Sequence, residues 1–227
     1  MSRLLVYLTL FCAFEAMADF DPELAGSLKC VNLFRQTEHQ HRIPADTLYS
    51  ISLNETGRIH SVKKIKLSWP WAVNVEGKGY FFDTKREAVS FVKRQLAQGK
   101  ESIDVGCMQV NLKHHPDAFE SVEEAFEPEA NITYGARFLR SKYEQLGSWH
   151  KAIAHYHSAT ESLGIPYKNN VIKIASNIGK YKDPLRQYKA QKTYSRASER
   201  SYVKKPNSAA LARRYKSNMM VPIPRTS

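Results

Sequence analysis

Apolar residues recur at helical spacing over most of residues 20–179, and this periodicity is what most restricts the fold. Leu24, Leu28, Val31 and Phe34 follow one another at intervals of three or four residues, the spacing of one helix face. Start and stop signals divide the rest of the segment into further helices. These are predicted to begin near Pro44, Thr84, Glu127 and Ser148, with a last helix over residues 169–178. The pattern predicts a mainly helical (α+β) domain.

The helical pattern has one clear β interruption. Residues 71–75 and 80–82 are rich in β-favouring side chains and flank the segment Glu76-Gly77-Lys78-Gly79. A glycine-rich turn between two such runs is typical of a β-hairpin. Residues 101–116 have no clear period and are predicted to be irregular or short-helical.

Residues 1–18 have the three-part pattern of a secretory signal peptide. Arg3 is followed by an apolar stretch over residues 4–14 and by the small-residue site Ala16-Met17-Ala18. An uncleaved anchor is the alternative, but the stretch is far shorter than the ~20 residues that span a bilayer. We therefore predict export to the periplasm and no transmembrane segment after cleavage.

The positive charge is concentrated at the C-terminal end. The formal net charge is +12, and from Lys180 onward thirteen basic side chains face two acidic ones. The apolar period also ends after Tyr181, which is typical of disorder. The predicted organisation is a signal peptide (1–18), a folded domain (19–182) and a disordered basic tail (183–227). Because the basicity belongs to the tail, a nucleic-acid partner is not expected.

Three short segments concentrate polar chemistry within the apolar frame. They are residues 53–57, residues 104–111 and residues 155–159. Taken singly, each has a plain structural interpretation: an ordinary helix end, a packed turn and a capped helix terminus. No CxxC or HExxH motif occurs, so neither a metal site nor a cofactor is predicted.

Taken together and in order, the three segments resemble lytic transglycosylases of the soluble, lysozyme-like (SLT-domain) type. That family carries Glu-Ser, then Gly-Leu-Met-Gln, then Ala-Tyr-Asn. The corresponding residues here are Glu55-Thr56, Gly106-Cys107-Met108-Gln109 and His155-Tyr156-His157. The resemblance covers roughly residues 27–179 and implies a lysozyme-like helical domain with a small β-hairpin insertion.

The resemblance also implies roles for the matched residues. Glu55 would be the catalytic acid and base, and its burial at a cleft wall would raise its pKa as a general acid requires. The residues implied to bind substrate or support Glu55 are Thr56, Met108, Gln109, Tyr156 and His157. Thr56 would orient the carboxyl, Met108 would pack beside it, and Tyr156 would place its hydroxyl near it. His157 departs from the family's Asn.

The implied reaction is cleavage of the β-1,4 bond between N-acetylmuramic acid and N-acetylglucosamine in peptidoglycan, giving 1,6-anhydromuramic ends. Two alternatives remain open: a non-catalytic wall-binding or assembly protein on the same scaffold, and a hydrolytic lysozyme. Residues 69–75 and 79–82 resemble an insertion of exported family members, some of which serve secretion or conjugation machines.

Two further groups of residues have competing interpretations. Asp104 is the carboxylate nearest a motif, and we interpret it as a turn residue. A set of aromatic side chains would either pack the hairpin or offer faces to sugar rings: Trp69, Trp71, Tyr80, Phe81 and Phe82. Packing is favoured.

Cys30 and Cys107 are the cysteines that remain after signal cleavage. The spacing of Cys30 from Val31 and Phe34 places it on the apolar face of the first helix. The resemblance puts Cys107 in place of a buried Leu. Export to an oxidising compartment favours a disulfide between them. Two lone buried thiols are the alternative.

Overall fold

The computed structural model describes the backbone of residues 20–203 and the side chains of residues 20–196. The predicted signal peptide and residues 204–227 of the predicted tail lie outside the described residues. The chain divides into two compact units, one ending at Leu185 and the other beginning at Arg186.

The first unit is predominantly helical, as the apolar periodicity predicted. Its helices within the described residues are α1 (Pro22–Gln40), α2 (Thr47–Glu55), α3 (Lys85–Ala97), α4 (Val122–Ala125), α5 (Pro128–Leu146), α6 (Trp149–His157) and α7 (Glu161–Ala175). Thr84 caps α3 in a capping box with Glu87, and Gly147 ends α5 in the left-handed conformation. These local signals set the helix boundaries.

The N-terminus of α2 is capped from another helix. The Glu38 carboxylate of α1 accepts the backbone N–H of Leu48 at 2.8 Å and that of Asp46 at 2.9 Å. Both N–H groups belong to the first turn, where they have no partner within the helix. This contact fixes α2 against α1 and thereby fixes the position of Glu55, the last residue of α2.

The β structure is larger than the single hairpin that was predicted. Two short strands, β1 (Arg58–Ile59) and β2 (Lys66–Leu67), pair with each other. A four-stranded antiparallel sheet has the order β4-β3-β5-β6. Its strands are β3 (Ala72–Val75), β4 (Lys78–Phe81), β5 (Ile103–Val105) and β6 (Val110–Asn111).

The predicted hairpin is present as β3 and β4. The prediction that residues 101–116 are irregular or short-helical was wrong. That segment contributes β5 and β6 to the same sheet. Strands of two or three residues give only a weak period-two signal, so pairing decides their conformation: β5 pairs with β3, and β6 pairs with β5.

The two faces of the sheet have different environments. Val73 and Val75 of β3 and Ile103 and Val105 of β5 are buried in one cluster with residues of α3 and α4. Side chains alternate across a strand, so the intervening residues, Asn74 and Asp104, face the other way. The sheet therefore packs on helices with one face and presents polar groups on the other.

Helix α7 begins earlier than predicted. The sequence placed its start near residue 169, because Gly164 and Pro166 disfavour a helix interior. In the structure α7 begins at Glu161. A Cβ on Gly164 would lie 2.7 Å from the carbonyl oxygen of Ser158, so glycine is needed for α7 to approach the end of α6 this closely.

The predicted disorder from residue 183 onward was wrong for the part that the structure describes. Helix α8 runs from Gly179 to Val203. Its first turns carry Leu185 and Tyr188, which are buried, and the helix is otherwise rich in Lys, Arg, Gln and Ala, which have high helix propensity. The loss of a sustained apolar period after Tyr181 therefore does not exclude a helix.

Candidate active site

A cavity of about 550 Å³ lies where the three polar segments meet. Its walls come from α2, α5, α6 and the polar face of the sheet. Among the residues that line it are Glu55, Asn74, Asp104, Gln109, Tyr156 and His157. The resemblance predicted four of these as site residues. The fold thus brings Glu55, Gln109, Tyr156 and His157 to one place from three distant parts of the sequence.

Glu55 lies at the C-terminal end of α2 with its carboxyl group enclosed by protein. The Tyr167 hydroxyl donates a hydrogen bond to Glu55 Oε1 at 2.5 Å. Burial raises the pKa of Glu55 to about 7 and the nearby Asp104 carboxyl adds to the rise, whereas the Tyr167 hydrogen bond opposes it. A carboxyl with a pKa near 7 is protonated in about half of the molecules at neutral pH, so it can donate a proton as a general acid and take one back as a base.

The Tyr167 side chain is itself held by His157. Their rings stack with centroids 4.6 Å apart and an interplanar angle of 3°. Burial raises the pKa of Tyr167 well above its ordinary value, so the hydroxyl stays a donor. His157 thus supports Tyr167, which in turn positions the Glu55 carboxyl.

The Tyr156 side chain contacts the backbone of Met108. The Tyr156 hydroxyl donates to the Met108 carbonyl oxygen at 2.9 Å. Met108 is fully buried, and a Cβ on Gly135 of α5 would lie 2.9 Å from its Cβ. Burial and the proximity of Glu55 raise the pKa of Tyr156. Tyr156 therefore lines the cavity and supports the backbone of the second motif.

Asn131 of α5 fixes the turn that joins β5 to β6. This fully buried side chain accepts the Met108 N–H at 2.8 Å. Its amide donates to the carbonyl oxygens of Val105, at 2.9 Å, and Ala125, at 3.0 Å. Gly106 beside it has φ of 80°, and a Cβ there would overlap the Asn131 side chain. Glycine at 106 and asparagine at 131 are thus required together.

The same turn is attached to α1 and α2. Cys107 forms a disulfide with Cys30 of α1, as predicted, and both residues are fully buried. Ser52, one turn before Glu55, donates to the Cys107 carbonyl oxygen at 2.6 Å. These contacts fix the distance between the second motif and the helix that carries Glu55.

Thr56 lies beneath the site and not in the cavity wall. It is buried, and its hydroxyl lies 2.9 Å from the Ser52 carbonyl oxygen and 3.2 Å from that of Leu67. It also accepts the Trp69 N–H at 3.2 Å. These contacts join α2 to the β1–β2 pair, and the predicted orientation of the Glu55 carboxyl by Thr56 has no contact that supports it.

Gln109 faces the cavity from a strained position. Its backbone φ is 47°, in the left-handed region that non-glycine residues rarely adopt. The side-chain amide donates to the carbonyl oxygens of Ala72 and Gly106, both at 3.1 Å. The amide oxygen accepts no hydrogen bond from the described residues, so it can accept one from a ligand.

Asp104 is a strand residue and not the turn residue that was predicted. In the sheet it pairs with Asn74 of β3 and with Asn111 of β6. All three side chains line the cavity. Asn111 donates to Asp104 Oδ1 at 2.8 Å. Burial raises the pKa of Asp104, while the Asn111 hydrogen bond and the positive potential of His114 and His157 oppose the rise.

Four of the five aromatic residues pack within the protein, which was the favoured interpretation, whereas Phe81 is exposed. Trp69 is buried, and its indole N–H donates to the Phe82 carbonyl oxygen at 2.8 Å. Tyr80 and Phe82 pack on Phe91 of α3, with ring centroids 4.6 and 5.0 Å apart. None of the five aromatic side chains is among the residues that line the cavity.

Sequence reasoning missed Tyr167 and Asn131 and underrated Asp104. Tyr167 follows Pro166 in a segment that was not predicted to be helical, and Asn131 lies on a helix with ordinary periodicity. Asp104 did carry a signal, because the alternation Ile103-Asp104-Val105 is that of a strand with one buried face.

Metal sites and membrane-spanning helices were considered for residues 20–203, which are the residues that the structure describes. Within this range, no cluster of three or more His, Cys, Asp or Glu residues is arranged to hold a metal ion. No helix within it is long and apolar enough to cross a membrane.

A comparison with known families gives one match. Residues 83–178 match the family model of the transglycosylase SLT domain, which is somewhat less than half of the chain. The match includes the second and third motifs and excludes Glu55. No curated protein and no solved structure shows significant similarity to the chain.

The match supports a peptidoglycan-acting function of the lytic transglycosylase type and peptidoglycan as the substrate. SLT-domain proteins act on peptidoglycan outside the cytoplasm, while a secretion or conjugation partner gains no support. The mainly helical fold and the match over residues 83–178 together support a soluble lytic transglycosylase-like family.

Proposed function

We propose that this protein is a lytic transglycosylase that cleaves the β-1,4 bond between N-acetylmuramic acid and N-acetylglucosamine with Glu55 as its acid and base. The product ends are 1,6-anhydromuramic acid. We further propose that it acts in the periplasm after export, which rests on the signal-peptide pattern of residues 1–18.

One observation carries the proposal: an enclosed carboxyl, with its pKa raised to about 7, lies on the wall of the cavity built by the family motifs. Because Glu55 lies outside the matched residues, its role rests on this geometry. The Tyr167 hydroxyl occupies Oε1, which leaves Oε2 to carry the proton and face the substrate.

The reaction then needs two proton transfers through Glu55. Neutral Glu55 donates its proton to the glycosidic oxygen as the bond to the muramic acid C1 breaks. The resulting carboxylate takes the proton of the muramic acid 6-hydroxyl while that oxygen bonds to C1. No water is consumed, and Glu55 returns to its protonated form.

Tyr167 and Gln109 assist without exchanging protons. The short hydrogen bond from Tyr167 stabilises the carboxylate that exists between the two transfers. The free amide oxygen of Gln109 accepts a hydrogen bond from a sugar hydroxyl or N-acetyl N–H. Such fixed contacts hold the scissile bond next to Glu55, and this positioning of the reacting groups contributes a large part of the rate enhancement.

The direct test is digestion of purified sacculi with the mature protein, followed by mass analysis of the released muropeptides. Anhydro ends are one water lighter than hydrolysed ends, so the masses identify the reaction. Release of only hydrolysed ends would replace the proposal with a lysozyme, and no release would favour the non-catalytic scaffold.

Glu55→Gln tests the acid directly. The amide is nearly isosteric but has no acidic proton, so turnover should fall by about 10²–10⁴-fold or more. In the wild type, kcat/KM should decline above pH 7 as Glu55 loses its proton. Glu101→Gln is a matched control, because Glu101 is exposed and does not line the cavity. Near-normal turnover of Glu55→Gln would refute the mechanism.

A further inference from the structure

We propose that Asp104 is a second catalytic carboxylate, which stabilises the positive charge that develops on the sugar ring during cleavage. This inference rests on the proposed function and adds a residue to it. The sequence motifs give the reaction a single carboxylate, but the cavity is lined by two. Glu55 belongs to the wall made by α2, and Asp104 belongs to the wall made by the sheet.

The position of Asp104 is fixed by the sheet. Its strand neighbours Ile103 and Val105 are fully buried on the opposite face, so the Asp104 side chain has to face the cavity. On either side in the sheet lie Asn74 and Asn111. The Asn111 amide holds Oδ1 at 2.8 Å, and Oδ2 has no hydrogen bond within the described residues. A rigid strand therefore presents one open carboxylate oxygen to the ligand space.

The surroundings of the two carboxyls favour different protonation states. Glu55 is enclosed by protein, and one neutral hydroxyl, that of Tyr167, contacts it. Burial also raises the pKa of Asp104, but the Asn111 hydrogen bond and the positive potential of His114 and His157 oppose that rise and favour the anion. When the environments of two carboxyl groups push their pKa values apart, one group can be protonated at a pH at which the other is ionised. This division assigns the acid to Glu55 and the anion to Asp104.

The charge of Asp104 also acts on Glu55. It is a like charge near the acid and contributes to the raised pKa of Glu55. Tyr156 and Tyr167 also interact with Glu55, and both stay neutral because burial raises the pKa of each. His157 lies beyond them, stacked on the Tyr167 ring, and is unchanged in the comparison made below. Loss of the Asp104 charge should therefore lower the pKa of Glu55, which a purely structural side chain would not do.

During the reaction, Asp104 forms no bond and exchanges no proton. As Glu55 protonates the leaving oxygen, positive charge spreads over C1 and the ring oxygen. A fixed carboxylate in a partly enclosed cavity stabilises that charge more than the neutral ground state, and this difference lowers the barrier. The effect should appear in kcat and hardly in KM.

The test compares Asp104→Asn with the wild type in the full mature protein. The amide keeps the shape and can accept the Asn111 hydrogen bond, so thermal stability should change little. We expect kcat on sacculi to fall by about 100-fold, with KM within about twofold. The alkaline limb of the pH profile should move to lower pH. Asp83→Asn is the matched control, because Asp83 is exposed and does not line the cavity.

A second measurement is independent of turnover: titration of the Glu55 carboxyl by ¹³C NMR in both proteins. A lower Glu55 pKa in Asp104→Asn supports the proposal, and an unchanged pKa overturns it. An active wild type with equal kcat in Asp104→Asn overturns the role of Asp104 and leaves the proposed function standing. A wild type that releases no muropeptides refutes the proposed function and the catalytic role together. Asp104→Ser replaces Asp104→Asn if the latter loses thermal stability.

Discussion

At the residue scale, the site depends on a few side chains whose properties are set by their surroundings. Glu55 is enclosed, Tyr167 is held as a donor by the His157 ring, and Gln109 adopts a left-handed backbone. Each of these arrangements is unfavourable in isolation and persists because the surrounding packing determines it. The motifs identified Glu55, Gln109 and His157, but not the contacts that give them their properties.

The raised pKa of Glu55 predicts how stability depends on pH. Its ordinary pKa is 4.5 and its folded pKa is about 7, so between these values the folded state binds more protons than the unfolded state. The free energy of unfolding therefore falls as the pH rises through this window, by about 1.4 kcal/mol per pH unit and about 3 kcal/mol in total. Above pH 7 the free energy of unfolding stays lower by this amount, because Glu55 is then ionised in both the folded and the unfolded state.

Glu55→Gln removes this cost, because the amide does not ionise. We expect the variant to unfold at nearly the same temperature as the wild type at pH 5 and at a clearly higher temperature at pH 8. Thermal unfolding of both proteins at several pH values measures the difference. Burial also raises the pKa of Glu38 to about 7. Because Glu38 is present in both proteins, its effect on stability cancels in the difference between them. A pH-independent difference would contradict the assignment.

At the scale of elements, the turn between β5 and β6 is the junction of the fold. It is held by the Cys30–Cys107 disulfide from α1, by Ser52 from α2, by Asn131 from α5 and by Tyr156 from α6. The disulfide closes a loop with a sequence separation of 77 residues, which is worth about 4 kcal/mol in the chain-entropy account. The second motif is thus a structural centre as well as a cavity wall.

Asn131→Ala should show how much of this junction depends on one side chain. The change leaves the Met108 N–H and two carbonyl oxygens without their partners in a buried place. Each such group costs about 1–3 kcal/mol, so the free energy of unfolding should fall by about 3 kcal/mol or more. Urea denaturation measures it.

The matched control for Asn131→Ala is Asn169→Ala, which alters an exposed residue of α7. It should be neutral or slightly stabilising, because Ala has the higher helix propensity. If the two variants were equally stable, Asn131 would not hold the junction.

At the scale of the whole molecule, charge and catalysis are separated along the chain. The part of the chain from Arg186 onward carries eleven basic side chains and one acidic one, and it forms a unit of its own. Lys189, Lys192 and Arg196 recur at helical spacing along α8. A concentrated positive charge attracts anionic polymers or an acidic partner, and salt weakens the attraction.

We therefore predict that changing Lys189, Lys192 and Arg196 together to Gln lowers the affinity for sacculi at low ionic strength, and that the difference vanishes in high salt. Gln keeps the helix propensity high, so the fold should persist. Cleavage of short soluble glycans should be unchanged. A pelleting assay and a fragment assay separate the two effects.

A chain that ends at Leu185 extends the same test to the whole basic segment. It should lose more of the low-salt affinity than the triple variant while still cleaving soluble fragments. Loss of turnover on short fragments by the triple variant would show that the basic segment takes part in cleavage itself.

Local sequence signals by themselves determined where the helices of this protein lie and which segments carry its chemistry. Caps, apolar period and turn residues act over a few neighbours, so they predicted most helix boundaries and the β3–β4 hairpin. The family resemblance, and not these local signals, implied the roles of Glu55 and Gln109. Only the tertiary structure decided which side chains meet. The pairing of β5 with β3, the Tyr167 contact to Glu55 and the Asn131 contact to Met108 all join residues at least 23 positions apart in sequence. Such contacts leave no local period, because their energy comes from burial and pairing that exist only after the chain has folded.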